Sequence, residues 1–109
     1  MKGKIKLINL TPHPIRVVGW GEIPPSGFVA RLEEEIKETG MAINGIPVVE
    51  KRIARLHLPP SQPGVFYIVS LAVAQVAQRE DLLVPDDLVR DEKGQVIGCR
   101  RLARVVVRR

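Results

Sequence analysis

The chain has one cysteine, Cys99, two histidines, His13 and His57, and only four aromatic residues in 109 positions. A single thiol cannot close an internal disulfide and a second cysteine for a zinc cluster is missing, so the composition suits a reducing compartment and the expected location is cytoplasmic. Two histidines without nearby cysteine or carboxylate at ligand spacing imply no metal site, and no cofactor is expected. Long hydrophobic runs are also missing. The basic start Met1-Lys2-Gly3-Lys4-Ile5-Lys6 leads into apolar residues soon broken at Asn9 and Pro12, so neither a signal peptide nor a membrane span is expected. The aromatics Trp20, Phe28, Phe66 and Tyr67 are not interleaved with basic residues, which argues against a sequence-specific nucleic-acid reader. There is no Gly-x-Ser-x-Gly elbow, and Pro24-Pro25-Ser26-Gly27 has neither the spacing nor the following helix of a phosphate loop. Ser70, His13, His57 and Cys99 lie far apart with no local pairing of nucleophile and base, so an enzyme is not expected.

What is present is positive charge, unevenly placed. Residues 1–50 carry six Lys/Arg and six Asp/Glu, whereas residues 51–109 carry eleven against six, so the net +5 comes from the second half. Arg100, Arg101, Arg104, Arg108 and Arg109 supply much of it. Such a field attracts phosphate, nucleic acid or an acidic partner, and it equally serves as a solvated basic edge that blocks aggregation. Arginine outnumbers lysine eleven to six, and its planar fork suits carboxylate and phosphate.

The length suits one domain over residues 1–109, without repeats or linkers. Lys4, Ile5, Lys6 and Leu7 alternate with the period of a half-buried strand. Thr11-Pro12-His13-Pro14 fixes a rigid turn, because two prolines set backbone angles and remove two amide donors. A strand resumes at residues 15–18. Gly19-Trp20-Gly21 and Ile23-Pro24-Pro25-Ser26-Gly27 are turn chemistry before another strand, starting at Phe28 and running to about Glu35. Asn44-Gly45 between Ile43 and Ile46 is the strongest two-residue hairpin signal, and residues 46–58 should be extended. After a proline-rich loop, Val65-Phe66-Tyr67-Ile68-Val69 should be the most buried strand. Ser70 can cap a short helix over residues 71–78, where alanine content and apolar spacing change the period. The expected fold is mainly β: a compact antiparallel barrel or sandwich-like domain with one short α-helix. Residues 105–109 read as an extra edge strand or a tail.

Residues 82–101 form the most informative stretch. Two apolar runs flank an acidic turn and the second ends in arginines, which reads as a strand, a tight hairpin and a returning strand. Such a hairpin displays polar groups on a rigid ladder, with Cys99 as a small buried packing residue beside them. The candidate ligand-binding residues are His13, Arg31, Tyr67, Arg90, Asp91 and Arg100: arginines for an anion, one ring to stack, and an imidazole whose direction is fixed by its proline neighbours.

The blocks Asn9-Leu10-Thr11-Pro12-His13, Ile23-Pro24-Pro25-Ser26-Gly27, Gly45-Ile46-Pro47-Val48-Val49, Tyr67-Ile68-Val69-Ser70 and residues 81–101 resemble small uncharacterised proteins encoded by bacteriophages and prophages. The resemblance spans nearly the whole chain and carries no assigned catalytic residue. It implies an accessory protein in the host cytoplasm, in a size class that includes compact oligomers sequestering nucleotide-derived defence signals. Two function classes are therefore expected. One is a non-catalytic homo-oligomer binding a nucleotide or another anionic small molecule. The other is a protein-interaction or virion assembly component acting through exposed β edges.

Overall fold

The computed structural model describes residues 4–108. Its elements in chain order are β1 (Lys6–Asn9), β2 (Ile15–Val17), β3 (Gly21–Ile23), β4 (Arg31–Ile43), β5 (Ile46–His57), β6 (Val65–Ile68), α1 (Leu71–Ala77), β7 (Leu82–Arg90) and β8 (Val96–Ala103). The fold is mainly β with one short helix, as the alternating patterns imply. Six strands form a nearly closed, barrel-like sheet in the order β1-β6-β7-β8-β2-β3, and β4 and β5 form a separate two-stranded ribbon. Pairing in the sheet is mixed: β7–β8 and β2–β3 are antiparallel, while β1–β6, β6–β7 and β2–β8 are parallel. The helix explains one of the parallel pairs, since a crossover through α1 returns the chain beside β6 in the same direction.

The sheet nearly closes where its two ends meet. Asn9, at the end of β1, bridges Pro25 just beyond β3, and the Asn9 carbonyl accepts from the Ser26 amide at 2.9 Å. Leu10, Tyr67, Val69, Leu82 and Val84 pack with Val73 and Ala74 of α1 in one buried cluster. The run at residues 65–69 supplies the buried β6 and its continuation, with Ile68 and Val69 fully excluded from solvent. Removing such area from water is the main stabilising term in a domain of this size. Ser70 caps α1 through a bond from the Val73 amide to its hydroxyl, and Gln78 ends the helix in the left-handed conformation.

One sequence expectation needs revising. The strand expected from Phe28 to about Glu35 starts at Arg31 and continues to Ile43. Pro24, Pro25 and the Ser26–Phe28 turn hold the preceding residues out of any ladder, with the Phe28 amide bonded to Ser26 Oγ at 3.4 Å. Beyond Glu35 the helix-forming glutamates and lysine stay extended, because β5 provides a cross-strand partner for Ile36, Lys37 and Glu38. The Asn44-Gly45 turn has φ of 52° and 79°, the left-handed values that a tight hairpin requires. At the other end, residues 104–108 form no strand. Val105 packs partly against the core while Val106 is exposed. Residues 1–3 of the basic start, and Arg109 of the expected tail, lie outside the described residues. Among the described residues no helix is long and apolar enough to cross a membrane.

Candidate functional site

The parallel pairing of β2 with β8, through Val17 and Cys99, lays residues 11–16 alongside the β7–β8 hairpin. Between them opens a cleft of about 570 Å³, within the range of small-molecule sites. Its walls are mostly apolar: Ile15, Val69, Leu71, Val84, Leu88, Val96 and Ile97. Thr11, His13, Arg16, Ser70, Asp86 and Cys99 supply its polar and titratable groups.

His13 is held in place from beneath. Asn9, only 1 % exposed, donates from Nδ2 to the His13 carbonyl at 2.8 Å and to the Ile23 carbonyl at 3.0 Å. Its Oδ1 accepts from the Thr11 amide at 2.9 Å and the Thr11 hydroxyl at 2.6 Å. One buried amide thus uses both donors and its acceptor to fix the Thr-Pro-His-Pro turn to the seam of the sheet.

Arg16 forms no ion pair among the described residues, although Glu22 stands opposite it in the β2–β3 ladder. Among the described residues the single carboxylate on the cleft wall, Asp86, accepts from Arg101 Nε at 2.7 Å. The Arg101 hydrogen bond holds that carboxyl below its ordinary pKa, so it stays ionised and charge-matched. What faces the cleft without a charge partner is therefore cationic or neutral. Ser70 Oγ is engaged with the Val73 amide, and the buried Cys99 Sγ donates to the Arg16 carbonyl at 3.6 Å. Neither makes a hydrogen bond to the His13 ring.

The six residues singled out from sequence do not converge. His13 lines this cleft, whereas Arg31 lines a separate hollow with Phe28 and His57. Tyr67 is 3 % exposed in the core, with its hydroxyl donating to the Pro60 carbonyl at 3.2 Å, so its ring face is covered. Arg90 and Asp91 sit together at the β7–β8 turn, where Arg90 donates to the Gly94 carbonyl and Asp91 Oδ1 accepts from the Lys93 and Gln95 amides. Arg100 faces Asp87 at 3.4 Å on the outside of the ladder. From Arg100 to Val96, the partner of Arg90, is four residues, about 13 Å along the strand.

No family model, curated protein or solved structure matches the chain. The site therefore rests on its geometry. Among the described residues no group of three His, Cys, Asp or Glu is placed to hold a metal ion. Sequence reading passed over Asn9, Arg16 and Asp86. No local pattern marks these three residues, since the cleft forms only through the pairing of Val17 with Cys99.

A second cluster has a structural role. Arg79 clasps Asp81 through two bonds of 2.9 and 2.6 Å and donates to the Pro59 carbonyl at 2.8 Å. The guanidinium also lies 6.0 Å from the Tyr67 ring centre, tying the proline-rich loop to the start of β7.

Proposed function

We propose that this chain binds a small molecule with an apolar body and an anionic group in the cleft between residues 11–16 and the β7–β8 hairpin, and holds it without turnover. The observation that carries the reading is the charge arrangement on apolar walls. Among the described residues His13 and Arg16 line the cleft without an anionic contact, while the one carboxylate there, Asp86, is neutralised by Arg101. An arriving anion meets the Arg16 guanidinium and the His13 imidazole beside apolar walls, where a charge-assisted hydrogen bond to the arginine adds to apolar contact.

Binding without chemistry is supported by the lack of a hydrogen bond, among the described residues, between the His13 ring and either Ser70 or Cys99. The resemblance to phage and prophage proteins makes sequestration of a nucleotide-derived defence signal in the host cytoplasm the biological form of the proposal. Calorimetric titration with a panel of nucleotides tests it. Binding to at least one member, weakened tenfold or more by both His13→Ala and Arg16→Ala, is expected. No binding across the panel, or an affinity indifferent to both substitutions, would overturn it.

A further inference from the structure

The cleft is lined in part by apolar side chains that folding leaves uncovered. Leu71, Leu88, Val96 and Ile97 are each between 43 and 54 % exposed, while Val69 and Val84, which share the lining, are buried. Apolar surface gathered around one hollow, instead of scattered singly, is the lining of a site that receives apolar matter. All six of these side chains are branched aliphatics. Among the described residues none of the four aromatic rings, Trp20, Phe28, Phe66 or Tyr67, lines the cleft.

The polar side chains of the lining are mostly engaged within the chain. The Thr11 hydroxyl donates to Asn9 Oδ1 at 2.6 Å, Cys99 Sγ donates to the Arg16 carbonyl at 3.6 Å, and Asp86 accepts from Arg101. The side-chain donors left for a ligand are the Arg16 guanidinium, the His13 ring and the Ser70 hydroxyl, whose oxygen only accepts in the helix cap. An ionised carboxylate accepts and never donates, so these few donors can serve it. A nucleobase and its sugar carry donors and acceptors along their whole length. Each one set unpaired against aliphatic side chains costs about fivefold or more in affinity. A saturated chain has no such groups.

We propose that the cleft takes a free acyl chain with a terminal carboxylate, the chain lying against Leu71, Leu88, Val96 and Ile97 and the head meeting Arg16. This rests on the reading of the cleft as a site for an apolar body with an anionic group, and it narrows that body to an aliphatic one. Charge fits a single head. Among the described residues Arg16 is the one guanidinium of the lining, and Asp86, the one carboxylate, is already matched by Arg101. A nucleotide can bring its phosphate to the same arginine, but it binds more weakly because its base and sugar lack partners.

Calorimetric titration of the full chain with hexanoate, octanoate and decanoate, each below its micellar concentration, tests the proposal. Affinity should rise about threefold or more for every two carbons added, against about fourfold for each methylene fully buried. Decanol, which keeps the chain and lacks the charge, should bind about fivefold more weakly than decanoate, and Arg16→Ala should weaken decanoate by a similar factor. Leu88→Ser with Ile97→Ser, both at exposed positions, should weaken decanoate about tenfold or more while circular dichroism is unchanged. Decanoate binding no tighter than the best of a nucleotide panel overturns the proposal. So does binding that is indifferent to chain length or to both variants, or binding to vesicles of anionic phospholipid with free decanoate ignored. If a nucleotide binds through His13 and Arg16 and decanoate does not, the acyl chain is wrong and the reading of the cleft stands; if neither binds, both fall. Should a variant fail to fold, the length series and the decanol comparison on the unaltered chain decide the matter.

Discussion

Replacing Asn9 by alanine removes a side chain that makes four hydrogen bonds while 1 % exposed, and this one change tests how the seam and the cleft are held. The four bonds are not equivalent. The Thr11 groups and the His13 carbonyl lie next to solvent, so water can replace part of what they lose. The Ile23 carbonyl, which accepts at 3.0 Å from Asn9 in a residue that is 6 % exposed, has no such recourse. With about 1 kcal/mol for each exchangeable bond, recovered in part, and about 1–3 kcal/mol for a stranded acceptor, the expected loss is about 2–4 kcal/mol. That is a large fraction of the 5–15 kcal/mol typical of a domain, and urea unfolding followed by circular dichroism will register it. Affinity for the cleft ligand should fall in parallel, because His13 loses its anchor. The Asn9→Asp variant adds a pH signature. An ionised carboxylate facing the two carbonyls is disfavoured, so its folded pKa is raised above the unfolded value of about 3.9. Its stability should therefore be greatest below that value and decline as pH rises through the folded pKa, while the original chain shows no such decline from this position. An alanine variant within about 1 kcal/mol of the original would refute the reasoning, since water would then be an adequate substitute at the seam.

Asp81 carries a pH dependence of the opposite sign. The hydrogen bonds from Arg79 hold its carboxyl below the ordinary value, so the stability it contributes is present above the unfolded pKa and is lost as pH falls through the lowered folded value. Asp81→Asn should cost about 1–2 kcal/mol at neutral pH, with the gap to the original closing on acidification through the carboxylate range; a gap constant with pH counts against the pairing. Gly98→Ala probes the contact that shapes the cleft. A Cβ there would sit 3.0 Å from the Arg16 carbonyl oxygen, a backbone atom of β2 that has no side-chain freedom with which to yield. The expected cost is about 1–3 kcal/mol with weaker ligand binding, and unfolding within about 0.5 kcal/mol of the original would show that β2 and β8 separate freely.

The part of this structure readable in the sequence is the part that local chemistry decides. Asn44-Gly45 can sit in a tight hairpin where few other dipeptides can, and Ser70 before an alanine-rich run can satisfy an amide that the helix opens, so both were legible without any distant residue. The reach of β4 was not. Its glutamates and lysine favour a helix when taken alone, and the information that keeps them extended lies in β5, where Arg52, Lys51 and Glu50 meet Glu35, Ile36 and Lys37. Asn9 was hidden for a related reason: a residue type usually found at the surface is buried here because β1 meets the chain beyond β3, a contact that alternation along β1 does not announce.

The candidate site shows the same division more sharply. Choosing arginines, a tyrosine and a histidine by what they can bind says nothing of which face of a strand each occupies. Cys99 and Arg100 are neighbours in sequence, yet one is buried against the Arg16 carbonyl and the other faces outward to Asp87. The cleft exists only because Val17 pairs with Cys99 across more than eighty residues, which carries His13 and Arg16 over a hairpin whose own arginines point elsewhere. Arg101 then acts on the site indirectly, by neutralising Asp86 so that Arg16 stands uncompensated. Basic composition in the second half of the chain thus affects the cleft through one paired carboxylate, while His13 and Arg16, which line it, come from the first half, where the net charge is zero.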